Sequence, residues 1–192
     1  REINYTPTSY EKELISYFNE VALQSEFGDN PQKVIKWKEP MILFIVKEGE
    51  FKFQISAITK TIDEINRLAS DGFKIVLTNN ILESNSILYL CSKEKVAELD
   101  PDFYKRFNDL KNIEISGFAY SEFSTKNYVI DMSLIFINSE DSIDTQESTI
   151  LEEITQSLGL GFDSNRYPSS VFYQKKYEKE IEINEYSRLD KD

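Results

Sequence analysis

The spacing of apolar residues predicts two long helices in the first half of the chain. In two stretches the apolar residues recur at intervals of three and four, which places them on one face of a helix. The first stretch follows Thr8, a residue type that caps helices, and the second ends at Gly72. The two apolar faces consist of Tyr10, Leu14, Tyr17, Phe18 and Val21, and of Ile55, Ile58, Ile62, Ile65 and Leu68.

Shorter apolar runs predict the strands of a sheet. The run 34–46 contains Pro40, which predicts either one kinked strand or a bent pair of strands. In the predicted strand 128–137 every second residue is apolar from Tyr128 to Phe136, although Val129, Ile135 and Ile137 indicate burial on both faces. Between 93 and 110 the pattern predicts broken helical turns around Pro101. The other predicted strands are 73–77, 87–91 and 113–120.

A third helix is predicted near 147–158, followed by an irregular segment and a charged tail. The order of helix, strand, helix, strands and helix predicts one α+β domain with a mixed sheet over 1–192. Within it we expect an N-terminal helical segment (1–28), a sheet and helix region (34–137), and a helix, turn and tail (145–192). Gly28 to Pro31 would end the first helix. Glu178 to Ile183 alternates in polarity, which indicates an edge strand or a solvated face.

The net charge of −12 makes nucleic acid an unfavourable partner, because phosphates are repelled. No apolar run is long enough to span a bilayer, so this region is not expected to insert into a membrane. The start at Arg1 is neither an initiator methionine nor a signal peptide, and it leaves room for a targeting segment or lipid anchor upstream. Cys91 lies in an apolar run and is expected to be buried.

The chain contains no histidine, which excludes Ser–His and Cys–His catalysis. Against that absence, the stretch from Glu152 to Leu160 is notable. It has the spacing of a helix on which two imidazoles, four residues apart, hold a metal before a Leu-Gly-Leu turn. Glu152 and Gln156 occupy the two imidazole positions, and Gly159 occupies the turn.

These residues resemble the zincin family, in the branch with the extended motif and a Met-containing turn. The resemblance implies that Glu153 stands at the general-base position and Phe162 at the third-ligand position, followed by Asp163-Ser164. It also implies that 170–173 is the turn beneath the metal, with Phe172 at the Met position beside Tyr173, and that 185–190 begins a closing helix. More narrowly, the motifs resemble a bacterial family of lipoproteins of unknown function.

The replaced ligands argue against zinc, because a phenyl ring cannot ligate a metal and a carboxamide is a weak donor. We therefore expect no metal and no cofactor. Two structural roles are open: Thr149 and Glu152 fit a capping box, and Gln156 can bond Glu152 one turn away. Two chemical roles are also open. Glu153 with Glu152 or Asp163 would form a carboxylate pair for acid–base work, or the three would hold calcium.

The function expected from this resemblance is a non-catalytic zincin-like domain that binds a peptide, protein or glycan in a retained cleft. The alternative is a zinc-independent hydrolase with Glu153 as general base. We expect an exported or envelope-attached protein, with a cytoplasmic location left open. The residues expected at the cleft are Glu152, Gln156, Phe162, Asp163, Phe172 and Tyr173.

Overall fold

The computed structural model describes residues 5–24, 33–108, 115–174 and 181–192. The first helix, α1, spans Ser9–Leu23. Thr8 begins it with a capping box: the Glu11 amide donates to the Thr8 hydroxyl at 3.2 Å, and the Thr8 amide donates to the Glu11 carboxylate at 2.7 Å. The predicted helix is therefore confirmed. The break expected at Gly28–Pro31 lies outside the described residues.

A mostly parallel sheet forms the centre of the fold. The strands β2, β3, β4 and β6 are parallel neighbours in the order β3-β2-β4-β6, and β5 joins β6 in antiparallel direction. A short strand, β1, pairs in parallel with the beginning of β6. The strand bounds are β1 Lys36–Trp37, β2 Met41–Lys47, β3 Ile75–Thr78, β4 Ser86–Cys91, β5 Gly117–Phe123 and β6 Val129–Asn138. The predicted mixed sheet is confirmed.

Helices pack on both faces of the sheet, and each face has its own apolar cluster. The larger cluster joins one face of the sheet to α2 (Lys52–Leu68), α5 (Ile143–Gln156) and the C-terminal segment. The smaller cluster lies on the other face and includes Phe103, Phe107 and Phe136. The remaining helices are α3 (Lys93–Leu99), α4 (Pro101–Asn108) and α6 (Arg188–Lys191), with a 3₁₀ turn at Ile81–Glu83. Within the described ranges, no helix is both long enough and apolar enough to span a bilayer.

Several predicted bounds shift in the structure. The run 34–46 forms two strands separated at Pro40, and they pair with different neighbours. The strand expected at 113–120 is observed at Gly117–Phe123, and 113–114 lie outside the described residues. The described end of the predicted tail strand, Ile181–Ile183, has no strand structure.

The start of α5 corrects the predicted capping box. The helix begins at Ile143, because the Ser142 hydroxyl accepts from the Thr145 amide at 3.2 Å. Thr149 therefore lies inside the helix, where its hydroxyl donates to the Thr145 carbonyl at 2.8 Å. A residue within a helix cannot cap its start, so the box of Thr149 and Glu152 was wrong.

Cys91 at the end of β4 is fully buried. Burial raises the pKa of its thiol to about 12, with a further contribution from the nearby Glu48 carboxylate. The expected role of Cys91 as a small apolar core residue is confirmed.

One side chain occupies part of the outer edge of β3. The Met41 amide of β2 donates to the Lys74 carbonyl, so the backbone groups of Lys74 point towards β2. The backbone groups of successive residues in a strand point to opposite sides, so those of Ile75 point away from β2. Both groups bind the carboxamide of Asn66: the Ile75 amide donates to Oδ1 at 2.7 Å, and Nδ2 donates to the Ile75 carbonyl at 2.9 Å. This edge therefore offers few open backbone groups to another strand.

We expect Asn66→Leu to lower the free energy of unfolding by about 1–3 kcal/mol, because the amide and carbonyl of Ile75 lose their partners at similar side-chain volume. Urea denaturation followed by circular dichroism measures the change. Asn79→Leu, at an exposed position beyond β3, serves as the control and should change stability by less than about 0.5 kcal/mol. Equal midpoints for wild type and Asn66→Leu would contradict this account.

Candidate functional site

The helix α5 turns three faces towards three different surroundings. Ile150 and Ile154 are fully buried in the larger cluster over the sheet. Thr149 and Glu153 contact the edge strand β5 at Gly117. Since each residue advances about 100° around a helix, Gln156 and Glu152 come next beyond that contact. Both are half-buried and lie on the side of α5 towards the outer edge of β5. They therefore lie beside β5, at the place of the candidate cleft that the sequence predicts.

The contact between α5 and β5 is so close that only glycine fits at position 117. A β-carbon there would lie 2.2 Å from Thr149 Cγ2 and 2.7 Å from both Cγ and Oε1 of Glu153. Glu153 is 7% exposed. The side chain at the general-base position thus lies against the backbone of β5 rather than in open solvent.

Gln156 connects the helix to the turn that follows it. Its amide nitrogen donates to Asp163 Oδ1 at 2.8 Å, and the same nitrogen lies 3.5 Å from Glu152 Oε1. The expected bond between Gln156 and Glu152 is present only at the limit of hydrogen-bonding distance, so Asp163 is the principal partner. Phe162, at the third-ligand position, is half-buried and directly precedes Asp163 in the chain.

Gly159 ends the helix as the motif predicts. Its φ of +101° is in the region that favours glycine, and a β-carbon would lie 2.2 Å from the Ile35 carbonyl oxygen. The Gly159 amide donates to the Gln156 carbonyl at 3.0 Å. The Ser157 carbonyl accepts from the Trp37 indole at 3.0 Å and from the Ser121 hydroxyl at 3.2 Å. The end of α5 is thereby tied to both β1 and β5.

The predicted turn at 170–173 lies within a buried polar network. Ser170 is fully buried, and its hydroxyl donates to Asp190 at 2.5 Å while Tyr17 donates to it at 2.6 Å. Burial raises the pKa of Tyr17 to about 12. Phe172 is buried, and the half-buried Tyr173 bridges to Ser164 in parallel. This network joins α1, the turn and α6, and its burial indicates a structural role.

No part of the described chain gathers three or more acidic, histidine or cysteine side chains in an arrangement suited to a metal ion. One shallow depression of about 570 Å³ runs along α2. All its lining residues belong to α2, so it includes none of the side chains predicted for the cleft: Ser56, Thr59, Lys60, Asp63, Glu64 and Arg67.

The outer edge of β5 supplies backbone groups that the sequence pattern did not reveal. The Asn138 amide donates to the Ser116 carbonyl at 2.8 Å, so the backbone of Ser116 points towards β6. Alternation then points the amides and carbonyls of Gly117, Ala119 and Ser121 away from β6. Among the described residues, β5 pairs with β6 alone. Only the small side chains of this strand hinted at a close approach, and they gave no information about which groups face outward.

Residues 11–188 match a protein family described as "protein of unknown function (DUF2927)". The chain belongs to the DUF2927 family. The matched range includes α5, β5, Gly159 and the turn at 170–173, so these elements belong to the DUF2927 region. No curated protein gives a significant match to the chain.

Two glycines with positive φ allow the role of Gly159 to be tested. Gly159→Ala should lower the free energy of unfolding by more than about 3 kcal/mol. The alanine would be strained at a positive φ, and its β-carbon would clash with the Ile35 carbonyl oxygen. Gly72→Ala is the matched control: its φ is +86° but a β-carbon meets nothing within 4 Å, so the loss should be about 1 kcal/mol. Thermal or urea unfolding of both variants checks this order, and equal losses would contradict it.

Proposed function

We propose that this domain is a non-catalytic zincin-like scaffold that binds an extended peptide along the outer edge of β5, beside α5. The observation that carries the proposal is the row of outward backbone groups at Gly117, Ala119 and Ser121. An extended peptide that adds a strand to a sheet gains its affinity from such groups. Glu152 and Gln156 lie on the adjoining side of α5, where they would contact the peptide side chains.

The two edges of the sheet support a peptide at β5 rather than at β3. On β3 the outward groups of Ile75 are already bonded to Asn66. On β5 the positions that face α5 are Gly117, Ala119 and Ser121, whose side chains are small or absent. A glycan or a folded protein would not need a row of backbone donors and acceptors, so an extended peptide is the ligand class best supported.

The zincin-like part of the proposal is supported by the order of local features after α5. A helix, a glycine turn with positive φ, a buried turn at 170–173 and a short closing helix follow one another as the resemblance implies. The hydrogen bond between Gln156 and Asp163 links helix and turn where the resemblance would place a metal. The resemblance to bacterial lipoproteins also supports a location at the cell envelope.

The hydrolase alternative would require Glu153 to reach a substrate. Its carboxylate lies against Gly117 of β5 with 7% of the residue exposed. A general base must come within hydrogen-bonding distance of the proton that it removes. The non-catalytic proposal therefore has the stronger support.

Peptide binding can be tested with a proline scan of the two sheet edges. We expect Ala119→Pro to remain folded and to bind peptides selected from a random library at least about tenfold more weakly, because an outward amide is lost and the strand edge is obstructed. Leu77→Pro, which removes an outward amide on β3, is the matched control and should bind as the wild type does. Fluorescence anisotropy with labelled peptides measures both.

Circular dichroism should show that both proline variants are folded. Equal peptide affinity of folded Ala119→Pro and wild type would place the peptide elsewhere. Failure to select any peptide that binds the wild-type domain would overturn the proposed function.

The scaffold resemblance can be tested by restoring the metal positions. We expect the triple variant Glu152→His, Gln156→His, Phe162→His to bind about one zinc ion per chain, because three imidazoles on a helix and its turn form a tetrahedral site with water. The wild type and the double variant Glu152→His, Phe162→His serve as controls and should bind zinc at least about tenfold more weakly. Titration calorimetry measures binding. A folded triple variant without zinc affinity would contradict the resemblance.

A further inference from the structure

We infer that the peptide bound at β5 carries aromatic or large aliphatic side chains at two positions that are two residues apart. These side chains pack beside Phe118 and Tyr120, on the face of the sheet opposite to α5. The inference rests on the proposed function, because it specifies the ligand of the same strand edge. In strand addition the backbone hydrogen bonds supply affinity, and the alternate side chains supply specificity.

The two faces of β5 carry different kinds of side chain. The positions that face α5 are Gly117, Ala119 and Ser121, whose side chains are small or absent. Phe118 and Tyr120 point to the opposite face, where both pack against the smaller apolar cluster. A strand added to β5 places every second residue on that same face, beside the two rings. The large apolar contacts of the peptide therefore lie on the side of Phe118 and Tyr120.

Tyr120 is the last member of a row of apolar side chains that crosses the sheet. The strand register places Leu134 of β6 beside it, followed by Ile87 of β4 and Phe44 of β2. All four residues are half-buried. Parallel sheets are usually covered on both faces, so side chains in such a row favour further apolar neighbours. An apolar peptide residue beside Tyr120 extends the row by one strand.

The ring of Phe118 is held in position by α4. Its centroid lies 6.0 Å from that of Phe103 and 5.8 Å from that of Phe107, and both partners are buried. Phe118 itself is only half-buried, so part of it remains accessible at the strand edge. Because the ring is already packed, contact with a peptide costs little additional side-chain entropy.

The ring of Tyr120 is likewise oriented by its neighbours. The guanidinium carbon of Arg106 lies 3.9 Å from the ring centroid, and the Tyr120 hydroxyl donates to Glu122 at 3.4 Å. Aromatic pairs gain more free energy than their buried area alone supplies. An aromatic residue is therefore the side chain that we expect most often beside Tyr120.

The composition of selected peptides is the first test. Nine-residue peptides selected from a random library on the wild-type domain should be enriched in aromatic or large aliphatic residues at two positions that are two residues apart. Replacement of either residue by alanine should weaken binding about tenfold, because the contact with a ring of β5 is lost. Replacement of the residue between them, which faces α5, should weaken binding less than about threefold.

A double-mutant cycle assigns one of these contacts to Tyr120. Tyr120→Ala should weaken the selected peptide about fivefold or more, and it should change the affinity of the matching alanine peptide less than about twofold. Fluorescence anisotropy measures the affinities, and circular dichroism shows whether the variants are folded. The peptide substitutions leave the domain unchanged, so they test the inference whatever the stability of Tyr120→Ala.

Phe44→Ala is the matched control variant. It removes an aromatic ring from the same row, but β4 and β6 separate it from β5. We expect less than about a twofold effect on peptide affinity. Equal losses of affinity in Phe44→Ala and Tyr120→Ala would indicate a general effect of a lost ring, and would overturn the assignment to Tyr120.

The remaining outcomes separate this inference from the proposed function. Selected peptides that lose affinity in Ala119→Pro but show no alternate preference for large apolar residues would overturn the inference and leave peptide binding intact. Selected peptides whose affinity is insensitive to Ala119→Pro would overturn the β5 site and this inference with it.

Discussion

The contact between α5 and β5 at Gly117 is the constraint on which the candidate cleft depends. A helix can approach an edge strand this closely only where a residue has no side chain, and Thr149 and Glu153 occupy the space that a β-carbon would need. The contact fixes the rotation of α5 about its axis. Ile150 and Ile154 then point into the core, and Glu152 and Gln156 point beyond the sheet edge. A helix rotated by one residue would exchange these environments and bury polar groups.

The elements of the fold were largely predictable because they depend on local periodicity. The helical spacing of apolar residues from Ile55 to Leu68 predicted the helix α2, and the apolar run that ends at Ile137 predicted the strand β6. The start of α5 was missed because Ser142 and Thr149 are both good caps, and only burial decides between them. The strand that begins at Gly117 was predicted too early in the chain, because the apolar residues Ile113 and Ile115 precede it.

The candidate site was less predictable, because its contacts join residues that are distant in sequence. The motif indicated Gly159 as a turn and Gln156 as a bonded side chain, but the partner proved to be Asp163 across the turn. The hydroxyl of Tyr17 binds Ser170, which in turn donates to Asp190, and these contacts require α1 and α6 to pack against the turn. Outward backbone groups on β5 follow from strand pairing, which no side-chain pattern in Gly117–Ser121 specifies.

The partly occupied edge of β3 has a consequence for contacts between copies of this domain. If both edges of a sheet were open, β5 of one copy could add to β3 of the next, and such head-to-tail additions would build a filament. The carboxamide of Asn66 occupies the outward groups of Ile75, which leaves the backbone groups of Leu77 as the other outward groups of β3. Addition of β5 of one copy to β3 of the next would therefore find few free backbone partners on β3.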